Sequence, residues 1–385
     1  MKNSFRILVL LLSLQSFSQK IETQLGGGID IKNEDINTIF KLWKNYLLSN
    51  PDSIYDNPYW NDSEKKKYKS YDLLKSEGFL SPSLYALQPK NTVLYINEYG
   101  NDYLIHSMYY WISDVNTLSP LAITNVVAKK ENGIFKLYNY LPFYTNRWKS
   151  KQVGMINYYY PNDYVFNNEN ALKADKFLNK LNELFDLDLK NLIYYIASDC
   201  DEIHKMKGYE YIISMGRTPS LCGFFDIQNS IVYSNSNAGE YHMHELIHVI
   251  NSKYTKANYL LLSGLSVYTN DKKSHLGKPF LHYMDRIQNY INANPEIDLA
   301  NFEKLPQIEE IDTYYFVGAL IADIILEKEG IELLKEALNS GVENTDLLLF
   351  LENKIGLNKQ KLDSLLKEKF KKASQTQKFT FRINY

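Results

Sequence analysis

Apolar residues recur at helical spacing between about Asn33 and Leu48, with Ile36, Ile39, Phe40, Trp43 and Leu47 on one face. The spacing predicts an amphipathic helix, stopped by Pro51. Residues 52–90 read as part helix and part loop, and Lys65-Lys66-Lys67 reads as a solvated helix face. From Thr92 to about Tyr160 the pattern becomes alternating, β-branched and aromatic. It predicts strands over Thr92–Glu98, Tyr103–Ile112, Ala122–Lys129, Gly133–Tyr140 and Val153–Tyr160, with a hairpin turn at Asn132-Gly133. Beyond Pro161, a helix over Ala171–Phe185 is followed by strands at Leu192–Ala197 and Asn229–Ser234. From Ala238 onward the spacing is helical almost throughout. Helices are predicted near 238–252, 256–269, 278–293, 312–329, 331–339, 344–354 and 358–373, punctuated by Gly330, Gly341 and Gly356.

This order of elements predicts an α+β chain. Residues 20–165 form an N-terminal domain of a helix plus an antiparallel sheet, an arrangement compatible with the cone-shaped fold of the nuclear-transport-factor-like superfamily. Residues 166–375 form a mostly helical domain with a small sheet, and 376–385 are a tail. Residues 1–19 read as a secretory signal peptide: Lys2 and Arg6, then the short apolar run Ile7–Leu14, then small and polar residues at Ser16–Gln19. The run is too short to span a bilayer, and no Cys near it suggests a lipid anchor. An exported chain, periplasmic or extracellular, is therefore expected, with no membrane anchor. Cys200 and Cys222 fit such a chain as a bridge ahead of the candidate site, or equally as two packed thiols.

Composition narrows the picture little further. The 385 residues are 45% hydrophobic and 23% charged, as in globular proteins, and a formal net charge of −2 gives no electrostatic case for nucleic acid. The 32 tyrosines read as compositional bias.

The chemistry concentrates at His244-Glu245-Leu246-Ile247-His248. Two imidazoles four residues apart on a helix point the same way and can share one zinc ion, and the carboxylate between them can act as general base on a metal-bound water. Chance supplies such a string in roughly one chain in a hundred of this composition. His242 lies two residues before His244, about 160° around a helix axis, and should point elsewhere. His106 is isolated in the sequence and reads as a packed histidine.

On three segments the chain resembles the gluzincin zinc peptidases, across about 190–340. The first is His244–His248 with the strand Ile231-Val232-Tyr233 before it. The second is Leu261-Leu262-Ser263-Gly264-Leu265-Ser266-Val267-Tyr268, similar to the family's Glu-Gly-Leu-Ala-x-Tyr segment. The third is Tyr314-Tyr315-Phe316-Val317-Gly318-Ala319. The resemblance implies a peptidase MA-like fold and a zinc cofactor held by His244 and His248. It further implies Glu245 as base, Tyr315 as stabiliser of the tetrahedral intermediate, and a peptide or protein substrate. It departs from the family at Ser263, where the third zinc ligand, a Glu, is expected. A serine hydroxyl is a poor zinc ligand beside a carboxylate. Asp271, His275 and Glu240 are candidate substitute donors that each read first as an ordinary surface residue, and a water bridging from Ser263 is another way to complete the site. The alternative is a degenerate peptidase kept as a binding or scaffold protein. The absence of a Gly-Ala-Met-Glu-Asn-like run favours endopeptidase over aminopeptidase action.

Overall fold

A computed structural model describes residues 21–49, 57–68, 89–213, 215–216, 222–268 and 278–380. The segment read as a signal peptide, and Asp271 and His275, lie outside the described residues.

In chain order, a short strand β1 (Thr23–Leu25) precedes α1 (Glu34–Leu47) and α2 (Asp62–Lys67). The side chain of Asn33 caps α1 by accepting from the N–H groups of Asp35 and Ile36. Strands β2 (Lys90–Tyr99), β3 (Asp102–Ile112), β4 (Leu118–Glu131) and β5 (Ile134–Tyr138) follow, then α3 (Tyr140–Tyr144). Next come the hairpin β6 (Lys149–Val153) and β7 (Ile156–Tyr160), α4 (Asn168–Phe185), β8 (Leu192–Ala197), α5 (Cys200–Met206), β9 (Tyr209–Ile212), β10 (Gly223–Asp226) and β11 (Ile231–Asn235). The remainder is α6 (Met243–Ile247), α7 (Tyr259–Val267), α8 (Met284–Ala293), β12 (Gln307–Ile308), β13 (Ile311–Asp312), α9 (Thr313–Leu338), α10 (Asn344–Ile355) and α11 (Lys359–Thr376). Among the described residues, no helix is long and apolar enough to cross a membrane.

The fold is α+β, with two compact units. The first comprises residues 1–144 and 204–215, the second 145–203 and 216–385. The units divide ahead of the boundary expected at 165, so the β6–β7 hairpin pairs within the second sheet. The chain also leaves the second unit at 203 and returns to it at 216. Both features depend on which distant strand a segment pairs with, which local periodicity does not encode.

In the first unit the sheet runs β1-β2-β3-β4-β5, antiparallel except for β1 with β2, and β9 also pairs with β4. β4 is long enough for two partners: Ala122–Thr124 meets β9, and Val127–Glu131 meets β5. One face of this sheet carries Val93, Ile105, Tyr109 and Val126, which form one core with Ile39, Trp43 and Tyr46 of α1. Each such fully buried side chain contributes roughly 1.5–3 kcal/mol. The indole N–H of Trp43 keeps a partner in that core by donating to Asn91 Oδ1 at 3.2 Å.

In the second unit the sheet runs β10-β11-β8-β7-β6, parallel in its three central strands and antiparallel at both ends. Tyr158, Tyr194, Ile196 and Val232 turn one face toward a core shared with α4, α6, α7 and α9. Gly330 has φ +74° and ψ −154°, so the long α9 is two helices broken at the glycine that separates them in the sequence pattern.

Candidate active site

The lead into the His244–His248 segment is a turn and not the first turns of the helix expected from 238. Asn235 holds it: its backbone oxygen accepts from Ala238 and Gly239, and its Oδ1 also accepts from Ala238. Gly239 takes φ +63° there, a conformation glycine adopts freely. Tyrosines then tie the turn to the sheet. Tyr194 Oη donates to Gly239 O at 2.7 Å and Tyr158 Oη to Glu240 O at 3.1 Å, while the His242 N–H donates to Tyr194 Oη at 3.1 Å. The tyrosine abundance is therefore not bias alone. Long rings with polar tips reach from a packed sheet face to the turn that leads into His244–His248.

α6 is short. It spans Met243–Ile247 and tightens at His248 into a 3-10 turn over His248–Ser252. The two imidazoles still meet, with ring centroids 5.4 Å apart and planes at 78°. Rings whose nitrogens each approach one ion at about 2.0–2.1 Å, at a tetrahedral angle, have centroids roughly 5.3 Å apart. Nδ1 of His248 lies 3.3 Å from the Asn251 side-chain amide. The amide nitrogen Nδ2 faces it and can donate to Nδ1, which puts the proton of the neutral ring on Nε2. Enclosure, and after it the neighbouring His244, pushes the His248 pKa well below the usual imidazole value, so the ring is neutral.

Glu245 is 7% exposed. Burial lifts its carboxyl from the usual 4.5 to about 8, against the opposing effect of a hydrogen bond from the Phe225 N–H. That donor belongs to β10, the edge strand of the second sheet. A Cβ on Gly223 of the same strand would overlap both Glu245 Cγ and the His242 ring, so only glycine lets the strand lie this close. His242 faces the strand side, with Nδ1 3.2 Å from Ser234 Oγ of β11.

α7 and α9 cross glycine on glycine. A Cβ on Gly264 would overlap the Gly318 backbone, and one on Gly318 would overlap the Leu260 carbonyl. The crossing fixes the separation of the two helices that carry Ser263 and Tyr315. The Tyr315 ring lies 6.2 Å from that of His244. Burial and then Tyr259, which hydrogen-bonds its side chain, raise the Tyr315 pKa, so it keeps its proton at neutral pH and can donate to an oxyanion. Ser263 is 2% exposed and its backbone oxygen accepts from Ser266 Oγ at 2.6 Å.

The structure thus gathers His244, Glu245, His248 and Tyr315. Glu240 stands apart: its carboxylate accepts from Tyr164 Oη at 3.0 Å and from the Asn167 N–H at 2.6 Å, so it is occupied with the fold. Among the described residues no three His, Cys, Asp or Glu side chains form a group that could hold a metal. The imidazole pair fits zinc, but the donor set does not: a catalytic site uses three protein ligands, and Ser263 brings no charge. Sequence reading missed Asn251, Tyr259 and the Gly223–Phe225 edge. Asn251 could have been sought as the polar residue one turn after His248; the others carry no local signal. Cys200 and Cys222 are bridged, with Cα atoms 5.8 Å apart, and the bridge ends beside Gly223.

No family model and no curated protein matches the chain. Among solved structures, it is similar to an M1 zinc metallopeptidase from Deinococcus radiodurans at 12% identity and a TM-score of 0.30, over 70% of this chain and 57% of that one. An alanine mutant of that peptidase matches at 11% and 0.29, over 72% and 62%. A two-domain M1 zinc metallopeptidase mutant bound to L-arginine matches at 10% and 0.29, over 74% and 62%. The chain spans less than two thirds of the length of each of these metallopeptidases, to which its likeness is distant.

Proposed function

We propose that this chain is a metallopeptidase-like protein that engages peptides beside β10 without hydrolysing them through a metal-activated water. The observation that carries the reading is Ser263 at the position where the resemblance calls for a carboxylate, with no third donor gathered among the described residues. The peptide-facing parts remain. Among the described residues β10 is paired with β11 alone, and apart from the Phe225 N–H, which Glu245 takes, its outer edge could accept an extended peptide as a strand. Tyr315 offers a phenol that stays protonated. Glu245, its carboxyl raised to about 8 by burial, can hold a proton and donate a hydrogen bond. We also propose export: the Cys200–Cys222 bridge suits an oxidising compartment and supports the signal-peptide reading of residues 1–19.

A second reading, zinc-dependent peptide hydrolysis, is favoured by one observation: His244, Glu245, His248 and Tyr315 are all retained in one cluster. In that case zinc supplies an acidified water and polarises the scissile carbonyl. One experiment separates the two. A mixture of fluorophore–quencher peptides is titrated with purified protein, with and without one equivalent of zinc. The expected result is a saturable rise in anisotropy and no cleavage after a day. Stoichiometric zinc with cleavage that disappears in Glu245→Gln overturns the binding reading in favour of the hydrolase.

A further inference from the structure

A second polar cluster lies in the first unit, on the sheet face opposite α1. Tyr95, His106 and Asn125 are cross-strand neighbours on β2, β3 and β4. Their chain neighbours Ile96, Ile105 and Val126 point into the α1 core, so these three side chains share the other face. Tyr95 stacks on His106 with centroids 4.3 Å apart and planes at 5°. His106 is 8% exposed, and its Nδ1 lies 2.6 Å from Asn125 Oδ1. Assigning that oxygen as acceptor places the proton on Nδ1. Nε2 is then a lone-pair acceptor that no described residue uses.

Two further elements close the row. Gly208, with φ +92°, packs between the Asn125 carbonyl and Tyr140 of α3. Two residues on, the exposed Glu210 sits at the register shift between Tyr209, opposite Thr124, and Tyr211, opposite Ile123, close enough for its charge to act on Tyr95 and Tyr140. Phe143 joins the rings of Tyr140 and Tyr99 at 5.6 and 5.7 Å. Burial, then the charge of Glu210, pushes the Tyr140 phenol up to about 12; Tyr95 is raised by burial, then by Tyr99 and Glu210. Tyr99 and Glu210 are exposed and Tyr95 and Tyr140 half-buried, so the cluster is open to solvent.

Each of these groups attracts a cation that carries N–H donors: ring faces by their quadrupole, Nε2 by its lone pair and Glu210 by its charge. We propose that Tyr95, His106, Asn125, Tyr140 and Glu210 form a binding site for an alkylammonium group, carried by a free primary amine or by a lysine side chain. Residues near His244 take no part in this site.

The test is a titration of the full chain followed by NMR of the His106 and tyrosine rings. The probes are n-butylammonium chloride, n-butanol and an end-blocked Ala-Lys-Ala peptide. The expected result is a saturable shift of the His106 ring with n-butylammonium and none with n-butanol. Glu210→Gln, an exposed change that leaves the core intact, should weaken binding about fivefold. Tyr140→Leu should weaken it by a similar factor of about five. Tighter binding of the lysine peptide than of n-butylammonium assigns the site to a polypeptide, and weaker binding assigns it to a free amine. An equal response to n-butanol and n-butylammonium, or unchanged affinity in Glu210→Gln, overturns the proposal.

Discussion

Placing a carboxylate at position 263 by Ser263→Glu tests the proposed reading most directly. Ser263 is 2% exposed, and enclosure in the same unit already lifts Glu245 from 4.5 to about 8. A second enclosed carboxylate faces a similar penalty. Keeping its proton at pH 7 against a normal pKa near 4.5 corresponds to about 3 kcal/mol, at roughly 1.4 kcal/mol per pH unit. The metal-free variant should therefore be less stable than the parent by about that amount. Zinc should close that gap. A third anionic donor raises affinity by roughly two to three orders of magnitude, and ligand at a thousand times its Kd stabilises by about 4 kcal/mol. The parent, with two imidazoles, should gain only about 0.4–1.4 kcal/mol at the same zinc concentration. The assay is urea denaturation at pH 7 in EDTA and in buffered zinc, paired with competition against a chromophoric zinc chelator. A parent protein that holds stoichiometric zinc through chelator dialysis, or a variant that binds zinc no better than the parent, refutes the reasoning.

Other outcomes follow from the same geometry. Glu245 has a raised folded-state pKa, so the native state holds a proton that the unfolded state releases, and stability falls as pH rises from 4.5 to about 8. Glu245→Gln should be near-neutral at pH 5 and stabilising by up to about 4 kcal/mol at pH 8.5 in EDTA, measured by urea midpoints; a pH-independent difference contradicts the buried-carboxyl assignment. Removing the bridge with Cys200→Ser, which opens a sequence separation of 22, should lower stability by about 3 kcal/mol. It should also quicken amide exchange across β10, and unchanged exchange there would mean the bridge does not anchor the edge strand. Gly318→Ala forces α7 and α9 apart and should lose about 3 kcal/mol in thermal denaturation, whereas an open control such as Gly27→Ala leaves that crossing untouched.

The sequence carried the parts that depend on neighbours in the chain. The amphipathic face of α1, the alternation in β3, the span of β8 and the break at Gly330 were all readable because each follows from local periodicity or from a glycine backbone. His244, Glu245 and His248 stood out because four-residue spacing on a helix is itself a geometry. What was not readable depends on partners far away. β9 is four residues long and has no pattern of its own; it is a strand because β4 is long enough to take it. The turn at 235–239 interrupts helical spacing because the Asn235 side chain competes for the backbone, which a hydrophobic count does not register. The contacts of Tyr158, Tyr194 and Asn251 appear only when the sheet and the His244–His248 segment are brought together.

The detour that carries β9 has a consequence for how the polypeptide matures. During synthesis the first unit cannot finish until residue 212 has emerged, and by then β6, β7, α4 and β8 of the other are already outside the ribosome. Until that moment the stretch Ala122–Thr124 of β4 waits without its neighbour, an open seam of the kind that invites mispairing. Joining Cys200 to Cys222 afterwards fastens both ends of the detour, so that a late-arriving piece becomes a latched one. Neither half can be excised with a single cut, and any trimmed version ending before 212 leaves that seam permanently exposed.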